Sequence, residues 1–137
     1  MAWPVPRFTD HGNGTVTDNM TGLMWVKAPH SLSSNSVAQT WNNAIDFCNG
    51  LTFAGHSDWR LPNVRELQSL IRYGARVGGL ALPSGHPFTG VQSDYYWSSS
   101  THADFTDDAW VVYLNYGNVG DGNKASTIYV WPVRAGQ

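Results

Sequence analysis

The sequence predicts an α+β domain, with helices set apart from an antiparallel sheet, on three observations. Strand-like runs occupy both ends of the chain, and two helix-like stretches sit together between them, so the alternation a parallel sheet requires is missing. Charged residues make up only 13% of the 137, while aromatics reach 13% with seven tryptophans, a mix that suits short strands and aromatic contact surfaces. The polar remainder is Asn, Ser, Thr and Gly rather than Lys and Glu, which is the chemistry of turns and not of long helices. At this length the chain makes one domain, spanning residues 1–137, able to bury an ordinary core.

The elements follow in order. Phe8-Thr9-Asp10 and Thr15-Val16-Thr17-Asp18 flank His11-Gly12-Asn13-Gly14 and read as a hairpin, since Asn-Gly supplies the positive φ such turns need. A turn at Asn19-Met20-Thr21-Gly22 leads to the apolar strand Leu23-Met24-Trp25-Val26, and residues 29–35 are loop. Ser36, with Gln39 three residues on, predicts the capped start of a helix whose stripe is Val37, Trp41, Ala44, Ile45 and Cys48, stopped by Gly50. After Pro62 a second helix is capped by Asn63 and Glu66, carries Val64, Leu67, Leu70 and Ile71 inward, and ends at Gly74. From Gly74 to Ser93, Gly and Pro predict a long irregular connection. Three strands close the chain, Tyr95–Ser99, Ala109–Tyr116 and Ile128–Arg134, with Gly120-Asp121-Gly122-Asn123 as the turn between the last two.

Composition also excludes functions. Net charge is −2 and no Lys/Arg run occurs; only Arg60, Arg65, Arg72 and Arg76 approach a cluster, so no nucleic-acid partner is expected. With Cys48 alone there is no intrachain disulfide and no multi-cysteine zinc site, and a small buried hydrophobe is the expected role. No apolar stretch has the length of a membrane span, so no direct membrane insertion is expected. The opening Met-Ala-Trp-Pro-Val-Pro lacks the pattern of a secretory signal; the protein either stays inside the cell or is the mature part of a longer exported one.

Four segments together resemble a known family. They are Phe8-Thr9-Asp10-x-Gly12-Asn13-Gly14-Thr15-Val16-Thr17-Asp18 with Thr21-Gly22-Leu23-Met24-Trp25; Gly55-His56-Ser57-Asp58-Trp59-Arg60-Leu61-Pro62-Asn63 with Glu66-Leu67; Tyr96-Trp97-Ser98-Ser99; and Val133-Arg134. This set resembles the domain that closes the Lcl-type collagen-like adhesins of bacteria, over nearly the whole chain. The resemblance implies a C-type-lectin-like fold in which first and last strands pair and a long loop region packs on the sheet. It further implies a ligand-binding tip of a surface or secreted protein, with some members trimeric and binding sulfated glycans. Related lectin-like domains are receptors diversified by retroelements, with the changeable residues near the C-terminus. Trp131 stands where members carry a basic residue and Ala135 where they carry Gly, and a net charge of −2 does not favour a sulfated ligand.

His56 and Asp58 read as structural hydrogen-bonding groups of a tight loop rather than as a catalytic or metal pair. No nucleophile motif or phosphate loop accompanies them, and no enzyme activity is expected. Asp104, Asp107 and Asp108, with Asp121 and Asn123 in the next turn, carry the oxygen ligands Ca²⁺ prefers, but the ligand triplets of calcium-dependent lectins are missing. A solvated loop is the preferred reading and no cofactor is expected, structural calcium being the alternative. Trp25, Trp41, Trp59, Trp97 and Trp110 are assigned to the core, Trp110 sharing a strand face with Val112 and Leu114. Tyr113 falls on the opposite face, Tyr129 and Trp131 alternate against Ile128 and Val130, and with Tyr116 they form either a ligand surface or a subunit interface. The expected ligand-binding residues are Thr101, His102, Asp104, Phe105, Asp107, Tyr113, Asn115, Asn118, Asn123 and Trp131. They predict a recognition domain for a protein or glycan on a bacterial or phage surface, fixed or retroelement-diversified. The alternative is a trimerisation cap of a longer fibrous chain.

Overall fold

The computed structural model of the chain describes residues 6–32, 36–72, 79–83 and 85–135. It is α+β, with two helices and two antiparallel sheets. Strands β1 (Phe8–Asp10), β2 (Thr15–Asp18) and β3 (Leu23–Val26) form a meander, and β7 (Val133–Ala135) pairs with β3 to complete a four-stranded sheet. The second sheet is β4 (Tyr95–Thr101), β5 (Asp108–Tyr113) and β6 (Val119–Asn123) in that order. Helices α1 (Trp41–Asn49) and α2 (Val64–Leu70) lie between the two groups of strands in sequence and both pack on β4.

The β1–β2 hairpin forms as expected, with Phe8 opposite Asp18 and Asp10 opposite Val16. Its positive φ angles fall on the glycines, Gly12 at 74° and Gly14 at 90°, and a Cβ at Gly14 would lie 2.7 Å from the Phe53 ring. Helix α2 also starts as expected. Asn63 accepts from the Glu66 amide at 2.8 Å while Glu66 accepts from the Asn63 amide at 2.9 Å. It ends at Leu70; the expected stop at Gly74 lies outside the described residues.

Four expectations need correction. Ser36 does not cap α1, which starts five residues later with Thr40 as its cap; Gln39 instead exchanges both backbone hydrogen bonds with Ile128, at 2.9 Å each. Gly120–Asn123 is not a turn but most of strand β6, each residue opposite a partner on β5. Ile128–Arg134 is not a continuous strand, because Pro132 has no N–H to give a ladder and only Val133 onward pairs with β3. The last strand joins the first sheet through β3 rather than through the first strand, β1, which remains at the edge.

Aromatic rings fill the main core. Trp25, Trp59 and Trp131 are essentially inaccessible, and Trp131 meets Trp25, Phe88 and Tyr96 with ring centroids 5.4, 5.0 and 5.7 Å away. Edge-on packing of this kind adds to the stabilisation from burial itself. A second cluster joins Ala44 and Cys48 of α1 to Trp97, Ala109, Val111 and Val130, and burial pushes the Cys48 thiol up to about 12. Both faces of β5 are therefore covered along its middle.

One polar chain threads this core. The Gln92 amide donates to the Tyr96 hydroxyl at 2.8 Å, and Tyr96 is bonded to His30 Nε2 at 2.6 Å. His30 Nδ1 lies 2.7 Å from the Ser36 carbonyl, which can only accept, so the proton sits on Nδ1 and Tyr96 donates to Nε2. Burial holds His30 below the ordinary imidazole value of 6.5 and does the same to His86. Below that pH the unfolded chain binds protons that the folded one refuses, so stability is full above about 6.5 and is lost as pH falls. The melting temperature is expected to drop between roughly pH 6.5 and 5, and less steeply in His30→Gln. An unchanged slope in that variant would mean His30 does not carry the effect.

Candidate functional site

The second sheet brings most of the expected site residues to its two opposite ends. Between Trp97 and Thr101 the β4–β5 register shifts, because residues 98–100 form a bulge in which Ser98 donates to the Trp110 carbonyl at 2.7 Å. Bulges turn a strand away from its partner and re-aim the segment that follows. Here that segment is loop 102–107, and its backbone is held at several points. The His102 amide donates to Asp108 O at 3.0 Å, the Asp108 amide to Phe105 O at 2.8 Å, and the Lys124 amide to Asp107 O at 2.9 Å.

The side chains of this end form an aromatic shelf edged with carboxylates. His102 stacks on Trp110 with ring centroids 4.3 Å apart and planes 25° from parallel, and Phe105 lies 5.1 Å from His102. Phe105 is 63% exposed, the most exposed of the large apolar side chains among the described residues. Cross-strand pairing sets Asp108 opposite Asn123 and Trp110 opposite Asp121, so all four share one face of the sheet. The nearness of Asp121 raises the Asp108 carboxyl above the ordinary carboxylate value, helped by some burial. Around the corner, Lys124 donates to Thr101 Oγ1 at 3.0 Å and sits 4.0 Å over the Trp41 ring. Of the expected residues, Thr101, His102, Asp104, Phe105, Asp107 and Asn123 gather here.

Tyr113, Asn115 and Asn118 belong to the other end of the same strands. Tyr95 and Tyr113 are directly paired and stacked at 4.5 Å, and Tyr116 stands 6.0 Å from Tyr113. From Asp108 to Tyr113 is five residues of strand, roughly 17 Å at the usual rise, so a small ligand reaches one end or the other.

Trp131 belongs to neither end. It is fully buried, and its indole N–H donates to the Val26 carbonyl at 2.8 Å. The expectation of an outward Trp131 rested on strand alternation, and residues 128–132 are not in a strand. Tyr129 is likewise drawn in, bridging to Tyr96 and lying 4.9 Å from His30. The reverse correction applies to Trp110, expected in the core but only half-buried on the shelf, and Trp41 is also half-buried.

His56 and Asp58 build structure. Phe53 and His56 exchange backbone bonds across a turn whose middle residues, Ala54 and Gly55, have φ of 54° and 80°. Asp58 takes the Arg134 guanidinium in a fork of 2.6 and 3.2 Å, tying the block to β7. Hydrogen bonding to that guanidinium holds the Asp58 carboxyl below its ordinary value. The Arg60 backbone bridges to Val133, and its side chain grips Glu66 at 2.6 and 2.7 Å. Among the described residues no group of three or more His, Cys, Asp or Glu is placed to hold a metal ion. No helix among them is long and apolar enough to cross a membrane.

Several contributors were not visible in the residue pattern. Trp110 joins the shelf only through the β5–β6 register, which also turns Asp108 and Asp121 from possible calcium ligands into its edge, and Lys124 joins Trp41 only through the approach of α1 to β6. A separate cleft of about 270 Å³, lined by Pro6, Arg7, Phe8, Asp10, Pro83, Gly85 and Pro87, lies beside the first hairpin. No sequence signal marked it. Compared with known proteins, the chain matches a family model described as the Lcl C-terminal domain over residues 14–134. No curated protein matches it.

Proposed function

The chain belongs to the Lcl C-terminal domain family, and on that premise we propose that it is a lectin-like, adhesin-type recognition domain without catalytic activity, displayed on a bacterial or phage surface. The observation that carries this reading is the shelf of His102, Phe105 and Trp110, an aromatic surface at the end of the second sheet with Phe105 open to solvent. Aromatic rings supply large contact area at low entropic cost and anchor binding surfaces of many kinds. The ligand is a protein or a glycan that covers Phe105 and reaches the polar rim of Thr101, Asp104, Asp107 and Asn123. What supports a non-catalytic role is the chemistry of the shelf. His102 is engaged by the Trp110 ring and by the Asp104 amide at 3.1 Å, and among the described residues no hydroxyl or thiol is hydrogen-bonded to it. No cofactor is part of the proposal.

Binding of the purified domain to an array of glycans, sulfated polysaccharides and surface proteins tests it. A selective binder is expected to lose about tenfold or more affinity in Phe105→Ala and His102→Ala, as truncating an aromatic anchor does. Tyr116→Ala, at the far end of the sheet, serves as the unaffected control. Loss in Tyr116→Ala with no loss in the shelf variants would move the site to the tyrosine end. In the diversified form of this reading, the coding DNA carries a nearby partial copy of its 3′ end differing only at adenines; absence of that copy leaves a receptor of fixed specificity.

A second reading, a trimerisation cap, draws on the stacked Tyr95 and Tyr113 with Tyr116 beside them, an aromatic patch of the kind subunits bury. Sedimentation separates the two, because a protein monomeric at high concentration is no cap.

A further inference from the structure

Resting on that reading of the shelf, we propose that its partner is a polypeptide segment presenting arginine, with the guanidinium set on Asp108 and Asp121 and its flat face against the exposed aromatic edge.

The argument is one of charge and shape together. Asp104, Asp107, Asp108 and Asp121 surround the shelf, and among the described residues none of them forms an ion pair. Of the six carboxylates elsewhere, four form ion pairs, Asp18 with Arg7, Asp10 with Lys27, Glu66 with Arg60 and Asp58 with Arg134, and Asp46 and Asp94 form none among the described residues. Lys124, beside this end, is turned to Thr101 and Trp41 instead. Asp108 and Asp121 are diagonal neighbours on one face of adjacent strands, close enough for Asp121 to raise the Asp108 carboxyl, and a cation between them would relieve that repulsion.

Beside them stands an apolar feature that a bare cation would not use. Phe105 is 63% exposed next to the His102–Trp110 stack. Guanidinium is planar and weakly hydrated, lies flat on aromatic rings and donates in a fork to carboxylates, whereas an ammonium is a strongly hydrated point charge. Carboxylates alone would suit any cation, and aromatics alone any apolar group. The two within one patch select arginine over lysine, and over the anionic or neutral partners an unpaired acidic rim repels or ignores.

The test is an NMR titration of the whole ¹⁵N-labelled chain with three peptides, acetylated repeats of Arg-Gly-Ser, Lys-Gly-Ser and Glu-Gly-Ser. The arginine peptide is expected to move the amide signals of residues 101–110 and 120–124, and the glutamate peptide to move none. The lysine peptide should bind several-fold more weakly, since it cannot stack and fork at once. Asp108→Asn/Asp121→Asn, which removes a like-charge pair, and Phe105→Ala, which truncates an exposed ring, should each keep the fold. The first is expected to weaken arginine binding by about tenfold or more, from loss of charge-assisted hydrogen bonds, and the second to erase the preference over lysine. Equal binding of both basic peptides that vanishes at physiological salt would reduce the effect to diffuse attraction and overturn the proposal. So would signal changes elsewhere on the domain, or no binding. If shelf variants abolish an array partner while the arginine peptide fails, the recognition site stands and only its proposed chemistry falls.

Discussion

Trp131→Ala is expected to destabilise the domain by about 3–5 kcal/mol, the range for removing a large aromatic from a packed core, and at that cost to leave much of the protein unfolded. The indole has no exposed surface and contacts the rings of Trp25, Phe88 and Tyr96. Its removal opens a cavity at the junction of the first sheet with the long connection, and also strands the Val26 carbonyl that it caps at 2.8 Å. Urea denaturation followed by fluorescence reads the loss directly. Trp131→Phe separates the two contributions, since it keeps most of the ring volume and loses only the donor; it should cost distinctly less. A Trp131→Ala protein as stable as wild type would contradict the buried placement. The variant is also a poor probe of binding, because a lost signal would report unfolding.

Arg7→Ala is expected to cost about 3 kcal/mol, the loss typical when one member of a buried ion pair is removed and the other stays charged. Asp18 is fully buried and receives Arg7 in a fork of 3.2 and 3.0 Å, with one further bond from the Met20 amide at 3.0 Å. Arg7 is itself 14% exposed and donates to the Ser69 carbonyl at 2.6 Å, so the same side chain joins the first hairpin to the end of α2. The double variant Arg7→Ala/Asp18→Asn removes the orphaned charge and is expected to recover part of the loss, which a double-mutant cycle measures. If the double variant is as unstable as the sum of the two single ones, the residues act independently and the pairing is of little consequence.

Local signals carried the parts of the fold that were legible from the residues. The hairpin turn declared itself by Asn13-Gly14, the second helix by Asn63 and Glu66, and strands β3 to β5 by short runs of aromatic and β-branched residues. Two of the failures share a cause, which is backbone pairing that the local residue types do not announce. Ser36 and Gln39 have the spacing of a capping box, yet the Gln39 backbone is taken by Ile128, eighty-nine residues away. Gly120-Asp121-Gly122-Asn123 has turn chemistry, yet β5 offers it a ladder, and Gly122 leaves room where a Cβ would meet the Ile128 side chain at 2.8 Å. With β6 misread, Asp108 and Asp121 were grouped only as possible calcium ligands, and Trp110 could not be placed on the shelf. Loop 101–108 was legible as a candidate surface because its residue types have no other evident use. Trp131 was misread because alternation was extended past Pro132.

The backbone closure of loop 102–107 has a consequence for how such a domain changes over time. Its shape is set by amide and carbonyl groups that every residue except proline supplies equally. The side chains at its tip project into solvent, and solvent-facing substitutions usually shift stability by less than about 0.5 kcal/mol. New specificities can therefore be drawn at the tip while Trp131, Arg7 and the Asp58–Arg134 clasp stay untouched, so that mutational tolerance and selectivity are kept in different parts of one small chain.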